Sequence, residues 1–236
     1  MRFWLEVAIE PCQKEYKPGD RIFKMALQRE KTGCRRCGKC CEKGGPAFHT
    51  EDRFLIETGV IPLKYLFTIR KGEPAHDNVK GGIVQARSDI IKIKGKKGAW
   101  SCIFFEKKTK TCTIYTDRPL ECRTLQCWNP KNLEIIYEKN RLTRKDLLSG
   151  IKGLWELVQD HSRRCSFKII NPLLEDIRKN RTPESLEKIR FIIAYDDQIR
   201  KLTVKKAKMD PDMLDFVFGI PLSEILFKLD KTLLLL

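Results

Sequence analysis

Residues 34 to 41 read CRRCGKCC, four cysteines in eight positions, and four more follow at Cys102, Cys112, Cys122 and Cys127. No ordinary core is built this way. Free cysteine normally buries as a small hydrophobe, but four thiols interleaved with Arg, Lys and Gly cannot form an apolar stripe. Cysteines three apart on a turn can face one metal, so C-x2-C is the common half of a zinc or iron–sulfur site. Cys34, Cys37 and Cys40 match the three-cysteine run that wraps a cubane cluster; where that run continues x3-C-P, this chain has Cys41 at once. In extended backbone Cys40 and Cys41 would point to opposite sides, toward different metal ions or different corners of one multinuclear site. Eight thiolates exceed what one four-coordinate ion takes and fit more than one metal atom. Soft sulfur selects zinc, Cu(I) or iron–sulfur over magnesium or calcium. Arg35, Arg36, Lys39, Lys43, Arg118 and Arg123 stand near these cysteines in the sequence, and positive neighbours favour thiolates.

The remaining metal-ligating types carry weaker signals. Cys12 and Cys165 lack cysteine neighbours and read as buried apolar residues. His49 follows the first cluster and either adds a nitrogen ligand or simply precedes a helix cap at Thr50. His76 and His161 read as surface residues, and Asp196-Asp197 as a solvent-facing pair. No Ser/His/Asp order, no G-x-G-x-x-G and no G-x4-G-K-[ST] occurs; Gly44-Gly45-Pro46 and Gly81-Gly82 read as turns. Catalytic residues are therefore not assigned.

Charge and compartment bound the function further. The net charge is +16, from 47 Lys and Arg against 31 Asp and Glu. That balance attracts polyanions, yet the lysines are scattered, which suits a solvated basic surface better than a nucleic-acid face. MRFWLEVAIEP does not read as a secretory leader, and no run is long enough to span a membrane. Disulfides do not persist in a reducing cytoplasm, so a cytoplasmic location and metal-bound thiols are mutually consistent expectations.

The pattern predicts an α+β chain: a cysteine-bearing region over 1–130 and a helical region over 131–236 packed on it. FWLEVAI and IVQARSDIIKI (83–93) read as strands, and 100–115 as a hairpin with Cys102 on one strand and Cys112 on or near the other. Thr50 is expected to cap a short helix ended by Gly59. Thr143 should cap one bearing Leu147, Leu148, Ile151, Leu154, Trp155 and Val158. Asn171-Pro172, Thr182-Pro183, Asp210-Pro211 and Ser223 read as four more helix starts. The closing TLLLL reads as a helix end tucked onto the core.

CRRCGKCC followed by CIFFEKKTKTCTIYTDRPLECRTLQC resembles the CxxCxxCC, or YkgJ-type, cysteine-cluster family, described as zinc- or iron-chelating. The marks fall on Cys34, Cys37, Cys40, Cys41, Cys102, Cys112 with Ile114 and Tyr115, Arg118 with Pro119, Cys122 with Arg123, and Cys127. The resemblance spans roughly residues 34 to 128. It implies zinc or iron held by those eight cysteines. If the metal is iron, as an iron–sulfur cluster, the expected role is redox or oxidoreductase with an unidentified redox or protein partner; if it is zinc, the role is structural or Lewis-acid. A relative with a similar cluster, flagellin lysine N-methylase, methylates lysine side chains, so cluster-dependent group transfer is the alternative. A zinc-structured nucleic-acid binder is a second alternative, weakened because zinc ribbons show C-x2-C twice at wide separation.

Overall fold

The structure, a computed structural model, describes residues 34, 36–77, 79–97, 99–180 and 182–229. The expected strand FWLEVAI, Cys12, Arg35 and the closing TLLLL lie outside them. The class is α+β, with small antiparallel sheets in the first half and helices in the second.

In chain order come α1 (Lys39–Glu42), α2 (Arg53–Glu57), β1 (Leu66–Ile69), β2 (Pro74–His76), β3 (Ile83–Gln85), β4 (Ile90–Ile93), β5 (Phe105–Glu106) and β6 (Thr111–Cys112). Then follow α3 (Leu120–Thr124), α4 (Lys131–Ile136), α5 (Arg144–Leu148), α6 (Lys152–Arg164), α7 (Phe167–Lys179), α8 (Pro183–Ala207), α9 (Leu214–Phe218) and α10 (Leu222–Leu229). β1 pairs antiparallel with β4, Leu66 opposite Ile93, while β2 pairs with β3 and β5 with β6. The run 83–93 is thus two strands in two different sheets, not one.

Several helix boundaries differ from the sequence expectation. His49, not Thr50, caps the turn into α2, because the Asp52 carboxylate takes the His49 N–H at 3.1 Å. Thr143 caps as expected, in a capping box with Asp146, but the helix breaks after Leu148. Gly150 is a poor helix former, and Ile151 is exposed between α5 and α6. α7 starts at Phe167, a turn earlier than Asn171-Pro172 suggested. Ser166 caps it, and the buried face Phe167, Ile170, Leu174 and Ile177 holds the helix through Pro172. α10 begins before Ser223 and borrows its cap from far away: Asp196 Oδ2 accepts the Leu222 N–H at 2.8 Å. Thr182-Pro183 and Asp210-Pro211 do open helical segments.

Two apolar clusters result. One joins Phe48, Leu66, Ile91 and Ile93 to Leu148, Val158 and the α9 residues Phe216, Val217 and Phe218, so the second half of the chain packs directly on the β1–β4 pair. The other lies among α7, α8 and α10, around Phe167, Ile170, Ile189, Leu222 and Leu226.

Between them runs a strap, residues 216–220, whose carbonyls each accept from a side chain of another element. Thr68 Oγ1 donates to Phe216 O (2.7 Å), Arg144 to Val217 O (2.8 Å) and Arg200 to Gly219 O (2.7 Å). Arg70 donates to Phe218 O (3.2 Å) and Ile220 O (2.9 Å). Gly219 permits this closeness. Its φ is +81°, and a Cβ there would lie 2.9 Å from Arg70 Nε and 3.0 Å from the Thr68 carbonyl.

Candidate metal centre

All eight clustered cysteines line one cavity of about 200 Å³. Cys34 and Cys37 come from the segment before α1, Cys40 and Cys41 from α1 itself, and Cys112 from β6. Cys122 sits on α3. Cys127 lies in the turn closed by Asn129 N–H on the Gln126 carbonyl at 2.8 Å. Cys102 is not on a hairpin strand: it precedes β5 and forms an isolated bridge with Gly95, while its N–H reaches the Cys41 carbonyl at 2.8 Å. That bond ties the two distant cysteine groups together. Gly38 makes the approach possible; its φ is +80°, and a Cβ would lie 2.2 Å from the Phe105 ring.

The adjacent pair overturns the extended-backbone expectation. Cys40 and Cys41 lie on helix, and their sulfurs are 4.0 Å apart. Two thiolates on one tetrahedral zinc stand about 3.8 Å apart, given a Zn–S bond of about 2.3 Å. The contact with Cys41 holds Cys40 down to about 6, and Cys41 itself is driven up by Cys40, by burial and by Cys122 and Cys102. Burial pushes Cys102 up to about 11 and Cys122 well above the usual range, with neighbouring thiols adding to both. Each thiolate therefore raises the next, a conflict that a bound cation reverses. The donor set fits a soft metal.

Among the described residues no three ligand atoms of this cavity lie within 4.8 Å of one another. They surround a volume rather than a point.

A polar floor holds α3 in place, and the sequence reading missed it. Asp52 Oδ1 accepts the Leu120 N–H at 2.7 Å. Glu121 lines the cavity and accepts from Ala47 N–H (2.7 Å) and Arg141 (2.8 Å), with His49 Nε2 3.5 Å away. Burial resists its ionisation, but His49, Lys92, Arg141 and the Ala47 amide outweigh that and bring it down to about 2. His49, buried with Nδ1 on the Lys139 carbonyl at 2.8 Å, belongs to this floor and does not line the cavity. Lys92 does. Alternation in β4 was the available signal, since Ile91 and Ile93 face the core and Lys92 must face the other side. Of the cations picked from the sequence, Arg36, Lys39, Lys43 and Arg118 line the cavity, whereas Arg123 lies 3.6 Å from Asp52.

A second group brings three ligand types together. His161, Cys165 and Asp196 place a nitrogen, a sulfur and an oxygen within 4.8 Å of one another. His161 and Asp196 are fully buried, not the surface residues that the sequence suggested; Cys165 is buried as expected. Asp196 is already saturated. Its Oδ1 accepts His161 Nε2–H (2.7 Å) and Arg200 Nε (3.0 Å), and its Oδ2 the Leu222 amide. A cation would face the Arg200 guanidinium, so this group is a folding joint.

An α+β frame gathers eight thiols around one cavity, a donor set that supports binding of a soft metal. Residues 33–141, just under half of the chain, match the family CxxCxxCC, whose description is "putative zinc- or iron-chelating domain". The cysteine pattern pointed to the same family. Neither a curated protein nor a solved structure matches the chain. Among the described residues no helix is long and apolar enough to cross a membrane.

Proposed function

We propose that the cradle holds a multinuclear metal centre through Cys34, Cys37, Cys40, Cys41, Cys102, Cys112, Cys122 and Cys127, in iron–sulfur form, and that the protein serves a redox role. The observation that carries this reading is the spread of eight sulfurs around one cavity of about 200 Å³. A core with metal and sulfide atoms of its own fills such a space, whereas a single ion draws its ligands to one point. Bound there, the centre would supply one-electron chemistry. The chain would supply thiolates, lining cations and apolar walls at Ile93, Phe105 and Ile114 that keep water away.

The 4.0 Å Cys40–Cys41 separation favours a second reading, two thiolate-bound zinc ions in a structural role. Anaerobic purification followed by iron, zinc and acid-labile sulfide analysis, with an absorbance spectrum, separates the two. Iron with matching sulfide upholds the first reading. Two zinc ions without sulfide transfer the case to the second, and protein free of bound metal after anaerobic purification removes both.

A further inference from the structure

Of the eight cradle cysteines, Cys34 and Cys40 are exposed and the others half-buried or buried. Those two mark the edge at which a centre held in the cradle comes nearest to solvent. Electron transfer weakens steeply with distance, so a redox partner has to seat itself on that edge. The same edge is cationic. It is built from residues 36–43 and from β5 and β6 with their loop, which the close approach of Gly38 to the Phe105 ring holds side by side. Arg36, Lys39, Lys43, Lys107, Lys108 and Lys110 are all exposed on these segments, against the carboxylates Glu42 and Glu106. Glu106 already faces Lys96 at 3.8 Å and accepts the Lys108 amide at 3.2 Å. Among the described residues Arg36, Lys39, Lys107, Lys108 and Lys110 meet no carboxylate within 4.0 Å. The helical half treats its surface differently: Lys179, Lys188, Lys201 and Lys228 each pair with an acid one turn away. An uncompensated rim repels itself and steers an anionic surface toward it.

Resting on the reading of the cradle as a redox centre, we propose that this rim docks an acidic protein that bears a one-electron carrier of its own. One electron passes from the reduced member of the pair to the oxidised one; no bond forms or breaks and no proton moves. Electron-transfer complexes bury little surface, and rim charges act mainly on the rate of encounter and its salt dependence. Exposed side chains around an exposed edge suit such brief contacts. Nucleic acid would answer the same charges, but binding it also calls for free aromatic faces on which bases stack. The rim's Tyr115 ring is taken by Arg36 and Arg118, whose guanidinium carbons lie 4.0 and 3.5 Å from its centroid.

Calorimetric titration of the full-length, anaerobically purified protein tests this with two probes, plastocyanin (an acidic copper protein) and cytochrome c (a basic haem protein). Plastocyanin is expected to bind at low salt and to let go as salt rises, and cytochrome c not to bind. K39Q/K110Q should weaken plastocyanin binding about fivefold. K188Q/K201Q, which removes the same net charge from α8, should leave it as in the wild type. K107Q/K108Q, off the cavity wall, should act like K39Q/K110Q and serves if that variant loses its metal. Stopped-flow oxidation of the dithionite-reduced protein by each probe is the second readout, with plastocyanin the faster and its lead reduced in the rim variants. Equal weakening by the rim and α8 pairs, or no binding of plastocyanin at low salt, overturns the proposal. Single-stranded DNA that binds more tightly than plastocyanin at the same salt, and is lost in K39Q/K110Q, overturns it too and makes the rim a nucleic-acid face. Iron and sulfide analysis of the same preparation keeps two failures apart. Their absence removes the centre on which the proposal rests, whereas a loaded centre without a rim effect removes the docking face alone.

Discussion

Five consecutive carbonyls from Phe216 to Ile220 each accept from Thr68, Arg70, Arg144 or Arg200. In the cradle Cys40 and Cys41 place their sulfurs 4.0 Å apart, and Cys41 and Cys122 have thiol neighbours whose charges would oppose theirs. Both regions put polar groups inside the fold, where an unsatisfied group is destabilising. The strap resolves its polarity with protein donors and is finished when the chain has folded. The cradle sets thiols against one another, and on the proposed reading a metal from outside the chain completes it.

Metal removal should separate the regions most sharply. With free metal a thousandfold above its Kd, ligand linkage contributes about 4 kcal/mol. Chelation is expected to remove that stabilisation from the cradle first. Hydrogen exchange should then show amides of 36–46 and 101–128 losing protection while those of α6 and α8 keep theirs. Equal loss in both regions would mean that the strap, too, depends on the metal.

Arg70→Met attacks the other side of the comparison. It would leave Glu73 buried without its guanidinium partner at 2.9 Å, and Phe218 and Ile220 without donors. Breaking a buried pair in this way costs about 3–5 kcal/mol. Denaturant unfolding should show that loss, with metal stoichiometry unchanged in the folded protein. A loss below about 1 kcal/mol would mean that the strap is not clamped as its geometry indicates.

A matched pair of glycine substitutions gives a smaller contrast. Gly219→Ala forces φ +81° on alanine beside the Thr68 carbonyl and Arg70, and should cost about 1–3 kcal/mol of global stability. Gly38→Ala meets the Phe105 ring in the wall of the cradle. Its main effect should appear as weaker cobalt binding in a competition titration against a chelator. Global destabilisation by both to the same degree would erase the distinction.

The sequence revealed these two regions unequally. Thiol spacing is local chemistry, so all eight cradle residues were legible without knowing how the chain folds. The boundaries at Thr182-Pro183, Asp210-Pro211 and Thr143 were legible for the same reason, since a cap or a proline acts within one turn. The strap was not. Its partners are 148 to 150 residues apart for Arg70 and 73 for Arg144, and nothing local marks an arginine as destined for a distant carbonyl. Asp196 misled for a related reason. In α8 the buried stripe runs through Ile189 and Ile192 and then continues as Asp196, Arg200 and Thr203, so polarity alone suggests solvent where tertiary hydrogen bonds have taken over. The Cys40–Cys41 expectation failed because Gly38 admits a helical turn where the reading supposed extended chain.

The joint at His161 provides the finest test, because acid should loosen it in steps separable from the cradle. Burial lowers the His161 pKa, Arg70 and Arg200 push the same way, and the bond to Asp196 resists. The remaining neighbours are Tyr195 and Phe218, whose rings flank it, and the buried Cys165. The folded state therefore favours the neutral ring. Its contribution is complete above the ordinary value of about 6.5 and is lost as pH falls through the lower folded value. Asp196 is also lowered: burial opposes this, but His161, Arg200 and the Leu222 amide prevail. Its contribution is complete above about 3.9 and disappears below that. His161→Gln should thus abolish the first acid step and leave a later one. Acid also strips metal from thiolates, so the quantity to follow is the stability difference between wild type and His161→Gln at each pH, in which the cradle cancels. That difference should shrink below pH about 6.5, with a slope no steeper than one proton allows, about 1.4 kcal/mol per pH unit. A difference that stays constant from pH 7 to 4.5 would mean that His161 does not change protonation on unfolding, and the joint would then have to be held by packing alone.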